Sequence, residues 1–326
     1  MPRELTVPSA ERMLRARSGL MERGMTERDI AAAVQSGALI RVRRGWYVAG
    51  DDWADLWREG RHLLEVVAVR REATYAAPPF CLESAAVLHG LPLYRTQPSA
   101  VHTLTAPTSH SRRRSGVARH SLALGEDDLT EVAGIACTSL ERTVVDLART
   151  LHPEAAVASA DAALRRIAVV GHRQDESVAA AWRERLDRRM SRSSNRGIRQ
   201  ARRVVAFADG RAQLPGESVS RLLLHRLGFR DIELQPHVTS SDGRDFWLDF
   251  GFPQARAFGE FDGLGKYVSP EMRGDRSIDD VVIAEKRRED EVRGVTGWRI
   301  VRWGSEHIRS EDALGARLAA FGIRPR

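Results

Sequence analysis

Lysine is nearly absent from this 326-residue chain: of its 51 basic residues only Lys266 and Lys286 are lysine, and the others are arginine. The two side chains are not interchangeable, since arginine is a planar, permanently charged fork and lysine a compact point charge whose pKa can shift. General surface charge is therefore carried by arginine, and lysine is kept beside the acidic residues Asp249, Glu260 and Asp262. Cysteine is equally scarce. Cys81 and Cys137 show no CxxC or Cys/His spacing, which excludes a disulfide framework and a zinc ribbon and leaves both as expected small buried residues. No run approaches the roughly 18 apolar residues of a membrane span. The opening MPRELTVPSAERML also lacks the apolar core of a signal peptide, so a cytoplasmic protein with no membrane partner is expected.

What is present is the composition of a soluble globular protein, 42% hydrophobic and 29% charged, in a chain long enough for two or three domains. The net charge of +7 is localised. Between Arg183 and Arg203 the stretch RERLDRRMSRSSNRGIRQARR sets nine arginines against Glu184 and Asp187, which accounts for the whole surplus. Such a segment can neutralise phosphates and release their counterions, with Arg196 and Arg199 as candidate contacts; a solvated linker is the alternative.

Near the N-terminus a helix is expected from Ser9 to about Arg17, then a second from Thr26, whose hydroxyl can cap TERDIAAAVQSG before Gly37 stops it. LIRVRRGWYVAG follows as a hairpin around Arg43, Arg44 and Gly45. Helix, helix and basic hairpin is the order of a winged helix. In such a module the capped helix, with Thr26 and Arg28, would enter the major groove of double-stranded DNA while Arg41, Arg43 and Arg44 meet the backbone. Protein–protein contact is the alternative use of that fold. The middle third mixes helices (CLESAAVLHG; TSLERTVVDLARTL capped by Ser139) with strands (AVHTLTAP, GVARHSLAL). Its histidines, His89, His102, His110 and His120, lack metal-ligand spacing.

The last third starts with a helix at Pro215 that ends by Gly228 and carries Glu217 in its first turn, where a carboxylate suits the helix dipole. HVTSSDGRDFWLDFGFP reads as strand, turn at Asp242 and Gly243, strand, with Phe246, Leu248 and Phe250 on one face and Trp247 and Asp249 on the other. ARAFGEFDG is a further strand in which Phe258, Glu260 and Asp262 share a face. Adjacent strands would then aim Asp249, Glu260 and Asp262 at one point. Converging carboxylates repel unless a cation sits among them, so hard oxygen ligands point to Mg²⁺ or Mn²⁺, with a lysine nearby for the attacking water. Solvent-facing acids on a plain hairpin are the alternative. On the following helix Ile278, Val281, Glu285, Glu289 and Val292 share a face, and Glu285 would either support the metal ligands from behind or pair with a strand arginine. GWRIVRW closes the layer as a strand with Ile300 and Arg302 on one side and Val301 and Trp303 on the other.

Two resemblances follow from these motifs. PGESVSRLLL, WLDFGFP, GEFDGLGKY, EKRREDEVR and GWRIVRW, over Leu214 to Ile308, resemble the very-short-patch-repair-like branch of the PD-(D/E)XK nucleases, as found at the C-terminus of actinobacterial proteins. MTERDIAAAVQSGALIRVRRGWY, LESAAVLHGLPL, VHTLTAP and TSLERTVVDLA, over residues 5 to 168, resemble the AbiEi-like antitoxins of type IV toxin-antitoxin systems. The nuclease resemblance implies Asp249 and Glu260 as strand-borne metal ligands and Glu217 as the helix-borne one. Two residues past Glu260, where that superfamily has its lysine, stands Asp262. Lys266 or Lys286 would then supply the cation, Lys266 slightly preferred.

Together these imply an α+β multidomain protein: a winged helix at 1–60, an AbiEi-like α/β domain at 61–175, a basic helix or linker at 176–210, and a PD-(D/E)XK-like domain at 211–326. The expected activity is metal-dependent hydrolysis of DNA phosphodiesters in phage defence, mobile-element control or DNA repair. The rivals are a non-enzymatic antitoxin-like transcriptional repressor with a degenerate nuclease domain, with a cognate toxin protein and a second copy as partners, and an RNA-directed nuclease or nucleotide-acting enzyme using the same metal site.

Overall fold

The computed structural model describes residues 5–73, 77–105, 116–191, 196–263 and 278–325, without the side chains of 278, 279, 281 and 282. These fall into two compact units, Met1–Leu151 with Met190–Ala201, and His152–Arg189 with Arg202–Arg326. The boundary between the units falls after Leu151, and the basic stretch is divided between them.

The first unit opens with helix α1 (Val7–Met13), strand β1 (Arg15–Ala16), helix α2 (Arg17–Glu22), helix α3 (Glu27–Gln35) and strands β2 (Leu39–Arg43) and β3 (Trp46–Ala49). The expected single helix from Ser9 to Arg17 is thus two helices separated by a short strand. Leu14 and Ala16 are extended, and Ala16 precedes α2 with no side-chain cap. Strand β1 joins the hairpin edge to give the order β1-β3-β2. Leu20, Ile30, Leu39 and Tyr47 form the core under this sheet, with Met25, Ala33 and Val34 against it.

Helices α4 (Gly50–Ala54), α5 (Arg58–Glu72) and α6 (Leu82–Leu88) follow. Strands β4 (Val101–Leu104) and β5 (Val117–His120) pair in parallel, and β6 (Leu129–Val132) and β7 (Ile135–Thr138) antiparallel. Ser139 caps α7 (Leu140–Thr150) by accepting from the Arg142 amide, as the spacing predicts. Arg142 is then held by Asp128 at 2.6 Å and Asp146 at 2.8 Å, so a buried cation on α7 is balanced on two sides. Both cysteines are buried, and burial pushes the Cys137 thiol up to about 12. His89 meets the Thr138 carbonyl and His102 meets His120, each at 2.8 Å; His110 lies outside the described residues.

The second unit takes helix α8 (Pro153–Ala168), strands β8 (Val169–Val170) and β9 (Arg173–Gln174), and most of helices α9 (Glu176–Ser191) and α10 (Ile198–Phe207). Helix α11 (Pro215–Arg226) starts at the expected proline and precedes strands β10 (Glu233–Leu234), β11 (His237–Thr239), β12 (Asp245–Trp247), β13 (Phe250–Phe252) and β14 (Ala257–Phe261). Helix α12 (Ile278–Thr296), strand β15 (Arg299–Trp303) and helix α13 (Glu311–Ala320) complete it. The sheet order is β10-β13-β14-β15, with β14 antiparallel to β13 and parallel to β15.

The strand expected to run through Trp247 and Asp249 is two strands. Strand β12 pairs with β11 in a separate two-stranded ribbon, whereas β13 belongs to the main sheet. Leu248 and Asp249 make the step between sheets, their backbones bonded to Pro236 and Gln235. Every residue of β14 is buried. On one side Phe258 meets Val292 of α12, together with Leu248 and Val238. On the other, Trp303 Nε1 donates to Ser220 of α11 at 2.9 Å, and Gly216 lies so close to the Phe261 ring that a Cβ there would stand 2.0 Å from it.

Helices α8 and α11 are joined through charge. Arg221 Nη2 donates to both oxygens of the fully buried Asp161 at 2.9 Å, and its ring-facing guanidinium lies 3.9 Å from the Phe207 centroid. Replacing Arg221 by methionine strands that carboxylate without its cation, and breaking such a pair costs roughly 3–5 kcal/mol. The Arg221→Met protein is expected to unfold at markedly lower urea, with unchanged m-value, in equilibrium denaturation followed by circular dichroism.

Candidate nucleic-acid interface and acidic centre

Helix α3 is fixed by its first turn. Thr26 accepts from the Asp29 amide at 3.2 Å, and the Asp29 carboxylate accepts the Thr26 amide at 2.9 Å and its hydroxyl at 2.6 Å, a reciprocal capping box. The Thr26 hydroxyl, expected near DNA, is thereby occupied in the fold. The Asp29 carboxyl sits below its usual range because the Thr26 hydroxyl, and then its amide, bond the ionised form. Ile30 is buried, and the outer side of α3 presents Glu27, Arg28, Ala31, Ala32 and Gln35 to solvent.

In the hairpin, Gly45 takes φ +80° and turns the chain after Arg44. Arg41 and Arg44 are exposed. Arg43 is not: its Nε and Nη2 grip Glu72 of α5 at 3.0–3.1 Å, so this residue anchors the hairpin instead of extending from it. Farther along, Arg196 and Arg199 are exposed, and the Arg196 carbonyl accepts from Arg149 at 3.1 Å. On α10 the exposed Arg199, Arg202 and Arg203 lie opposite the buried Ala201, Val204 and Val205, so this part of the basic stretch is one face of an amphipathic helix.

In the second unit the β13–β14 register sets Phe250 opposite Gly259, so Asp249 just before β13 and Glu260 on β14 each adjoin that pair. The carboxylates nevertheless have separate attachments. Asp249 Oδ2 accepts the Phe261 amide at 2.8 Å. Glu217 is buried in the first turn of α11 and accepts the Gln213 amide at 2.7 Å.

Glu260, 2% exposed, lies between two arginines. Its Oε1 is 2.7 Å from Arg288 of α12, and its Oε2 is 2.8 Å from Arg302 of β15, an ion pair whose angle falls short of a hydrogen bond. At that distance the charge is balanced whatever the angle. Arg302 also reaches Glu285 at 2.5 Å and Asp262 at 3.3 Å, and Arg288 reaches Glu285 at 3.2 Å. Burial acts to lower the Arg302 pKa, but Glu260, Glu285 and Asp262 outweigh it and hold the group above its ordinary value. Glu285 thus pairs with a strand arginine, one of the two roles expected for it.

Lys286 is exposed on α12, and Lys266 lies outside the described residues, as do the side chains of Ile278 and Val281. Among the described residues no three His, Cys, Asp or Glu side chains are gathered to hold a metal ion. Of the acids expected to hold Mg²⁺ or Mn²⁺, Glu260 faces two guanidiniums, Asp249 accepts the Phe261 amide and Glu217 accepts the Gln213 amide. Arg288 and Arg302, which organise the centre, were not among the expected site residues. The parallel β14–β15 register, with Glu260 opposite Arg302, is the feature that reveals them.

Comparison with known proteins bears on the middle of the chain. Residues 79–205 match the family model of the AbiEi antitoxin C-terminal domain. This AbiEi-antitoxin-like segment begins before α6 and ends within α10, later than the residue 168 expected from motifs. Two Mycobacterium tuberculosis proteins, each named only as an uncharacterized protein (MT2308 of strain CDC 1551 / Oshkosh and Rv2248 of strain H37Rv), are 28% identical over 303 residues. The alignment covers 93% of this chain and 99% of each relative, so the similarity extends over both units. No helix among the described residues is long and apolar enough to cross a membrane.

Because the Thr26 side chain closes the capping box, Thr26→Ala is expected to destabilise the first unit by about 1 kcal/mol. Urea denaturation checks this value, and a change below about 0.3 kcal/mol would show that the cap contributes nothing to the fold.

Proposed function

We propose that the chain is a DNA-binding regulator of antitoxin type, with residues 5–49 forming a winged helix and the AbiEi-like segment beside it in sequence. The observation that carries this reading is the order helix, strand, helix, helix, hairpin, with α3 exposed on its outer side and Arg41 and Arg44 free at the hairpin. Ala31 and Ala32 leave the outer side of α3 low enough to approach a groove floor, and Arg28 and Gln35 supply donors for base edges. Arg41 and Arg44 would meet phosphates, as would Arg196 and Arg199. Duplex DNA is the proposed ligand, with a cognate toxin protein and a second copy of the chain as proposed partners.

Gel-shift titration on the DNA upstream of the gene tests this reading. Arg41→Ala with Arg44→Ala is expected to weaken binding across sequences and to reduce the slope of log K against log salt by roughly two, near 0.9 for each phosphate left without its arginine. Arg43→Ala, which releases Glu72, should lower stability more than it lowers the salt slope. Equal DNA affinity in wild type and the double variant would remove the hairpin from the interface.

A second reading, hydrolysis of nucleic-acid phosphodiesters by the C-terminal part, is favoured by one observation. A helix, three strands of one sheet, a second helix and a fourth strand of that sheet follow in chain order, with Asp249 bonded to the Phe261 amide beside Glu260, as a PD-(D/E)XK layer would require. Supercoiled plasmid incubated with Mg²⁺, Mn²⁺ or EDTA separates the readings. Metal-dependent nicking that Asp249→Ala abolishes would establish the nuclease, and a panel adding single strands and structured RNA would define its substrate.

A further inference from the structure

We infer that Arg288 and Arg302 take the place of a divalent cation at Glu260, making the centre of the second unit a metal-free, arginine-compensated carboxylate. This compensation belongs to the second unit alone and is independent of DNA binding by the first.

Glu260 is the fourth residue of a strand whose five residues are all buried. A carboxylate there is tolerated only with cations or several donors supplied by the protein or by a ligand. The chain supplies two guanidiniums, one to each oxygen, from elements on different sides of the strand: Arg288 from the covering helix and Arg302 from the neighbouring strand. Each arginine is itself fixed by something other than Glu260. Arg288 Nη2 donates to the Trp247 carbonyl at 2.8 Å, the last residue of β12, and Arg302 pairs with Glu285 and Asp262. These are built contacts, linking four elements through one carboxylate.

A hard divalent cation binds through carboxylate oxygens directed at it and is repelled by adjacent guanidiniums. Both Glu260 oxygens already face a guanidinium, and Asp249 accepts the Phe261 amide through one oxygen. Asp262 and Glu285, which share these arginines, have side chains 28% and 33% exposed. Water screens charge at that level of exposure, whereas it cannot reach Glu260. The element order of a nuclease layer is therefore combined with a charge balance that leaves its central carboxylate without demand for metal.

The test uses the full chain and needs no variant for its first arm. Mn²⁺ is titrated into metal-free protein and the free ion is read by electron paramagnetic resonance. The expected result is no saturable site, together with a melting temperature unaltered by Mg²⁺ or EDTA. The second arm is a double-mutant cycle on melting with Glu260→Gln, Arg302→Met and the double variant. The two changes should be strongly non-additive, the double variant melting no lower than the more damaging single one. One saturable Mn²⁺ per chain that Asp249→Asn or Glu260→Gln removes would overturn the inference. A site unaffected by both variants lies elsewhere and leaves it intact, whereas an additive cycle shows that Arg302 does not compensate Glu260 and also overturns it.

Discussion

A carboxylate within a strand covered on both faces constrains the whole second unit. Glu260 cannot be solvated, so its charge must be met by groups whose own positions are set by neighbouring elements. Arg302 can meet it only if β15 lies parallel to β14 in the observed register, since a one-residue slip would turn Arg302 to the opposite face, where Trp303 packs on α11. Arg288 can meet it only if α12 lies over the same face, which the contact of Val292 with Phe258 secures. The apolar contacts hold helix and strand together, and the ion pairs specify one alignment among those the apolar contacts would allow.

In the first unit the same division of labour separates arginines that look equivalent in sequence. Arg41, Arg43 and Arg44 are neighbours on one hairpin, yet Arg43 is spent on Glu72 while the other two face water. A pair between partly buried residues fixes the hairpin against α5 and thereby the direction in which the free arginines project. Thr26 plays the corresponding part for α3: it gives its hydroxyl to the capping box, and the helix offers Arg28 and Gln35 outward. Residues that hold an element still and residues that are free to touch a ligand alternate along the chain, and only the second kind can add to affinity for a polyanion.

Much of this was legible where the signal is local. The caps at Thr26 and Ser139, the proline opening α11 and the two faces of β15 all follow from residues within a few positions of one another. Helix α2 was not, because its six residues carry neither a side-chain cap nor a stop separating them from α1. The split at Leu248 and Asp249 was hidden because no proline, glycine or turn residue pair marks it between Phe246 and Phe250 while the hydrogen-bond partner changes from β11 to β14. The acidic centre was partly legible: the facing of Glu260 and the candidate pairing of Glu285 with a strand arginine could be read, but its two-arginine compensation depends on register and on a helix laid across it. Glu217 had the signature of a helix-start acid and of a metal ligand together, and its contact with the Gln213 amide belongs to the first.

The scarcity of lysine has its physical sense at this centre. Arg302 touches Glu260, Glu285 and Asp262 at once, acids that belong to a strand, a helix and the chain just past the strand. A guanidinium can do this because its donors diverge in a plane and its charge is delocalised, so Nη2 serves Glu260 and Glu285 while Nη1 serves Asp262 without the group moving. An ammonium at the same place presents three donors from one atom and is more strongly hydrated, so it would favour one partner and draw water toward a strand that excludes it. A buried acid shared among elements therefore favours arginine on energetic grounds, and a chain that builds its charge balance in this way keeps the guanidinium inside the fold as well as on its surface.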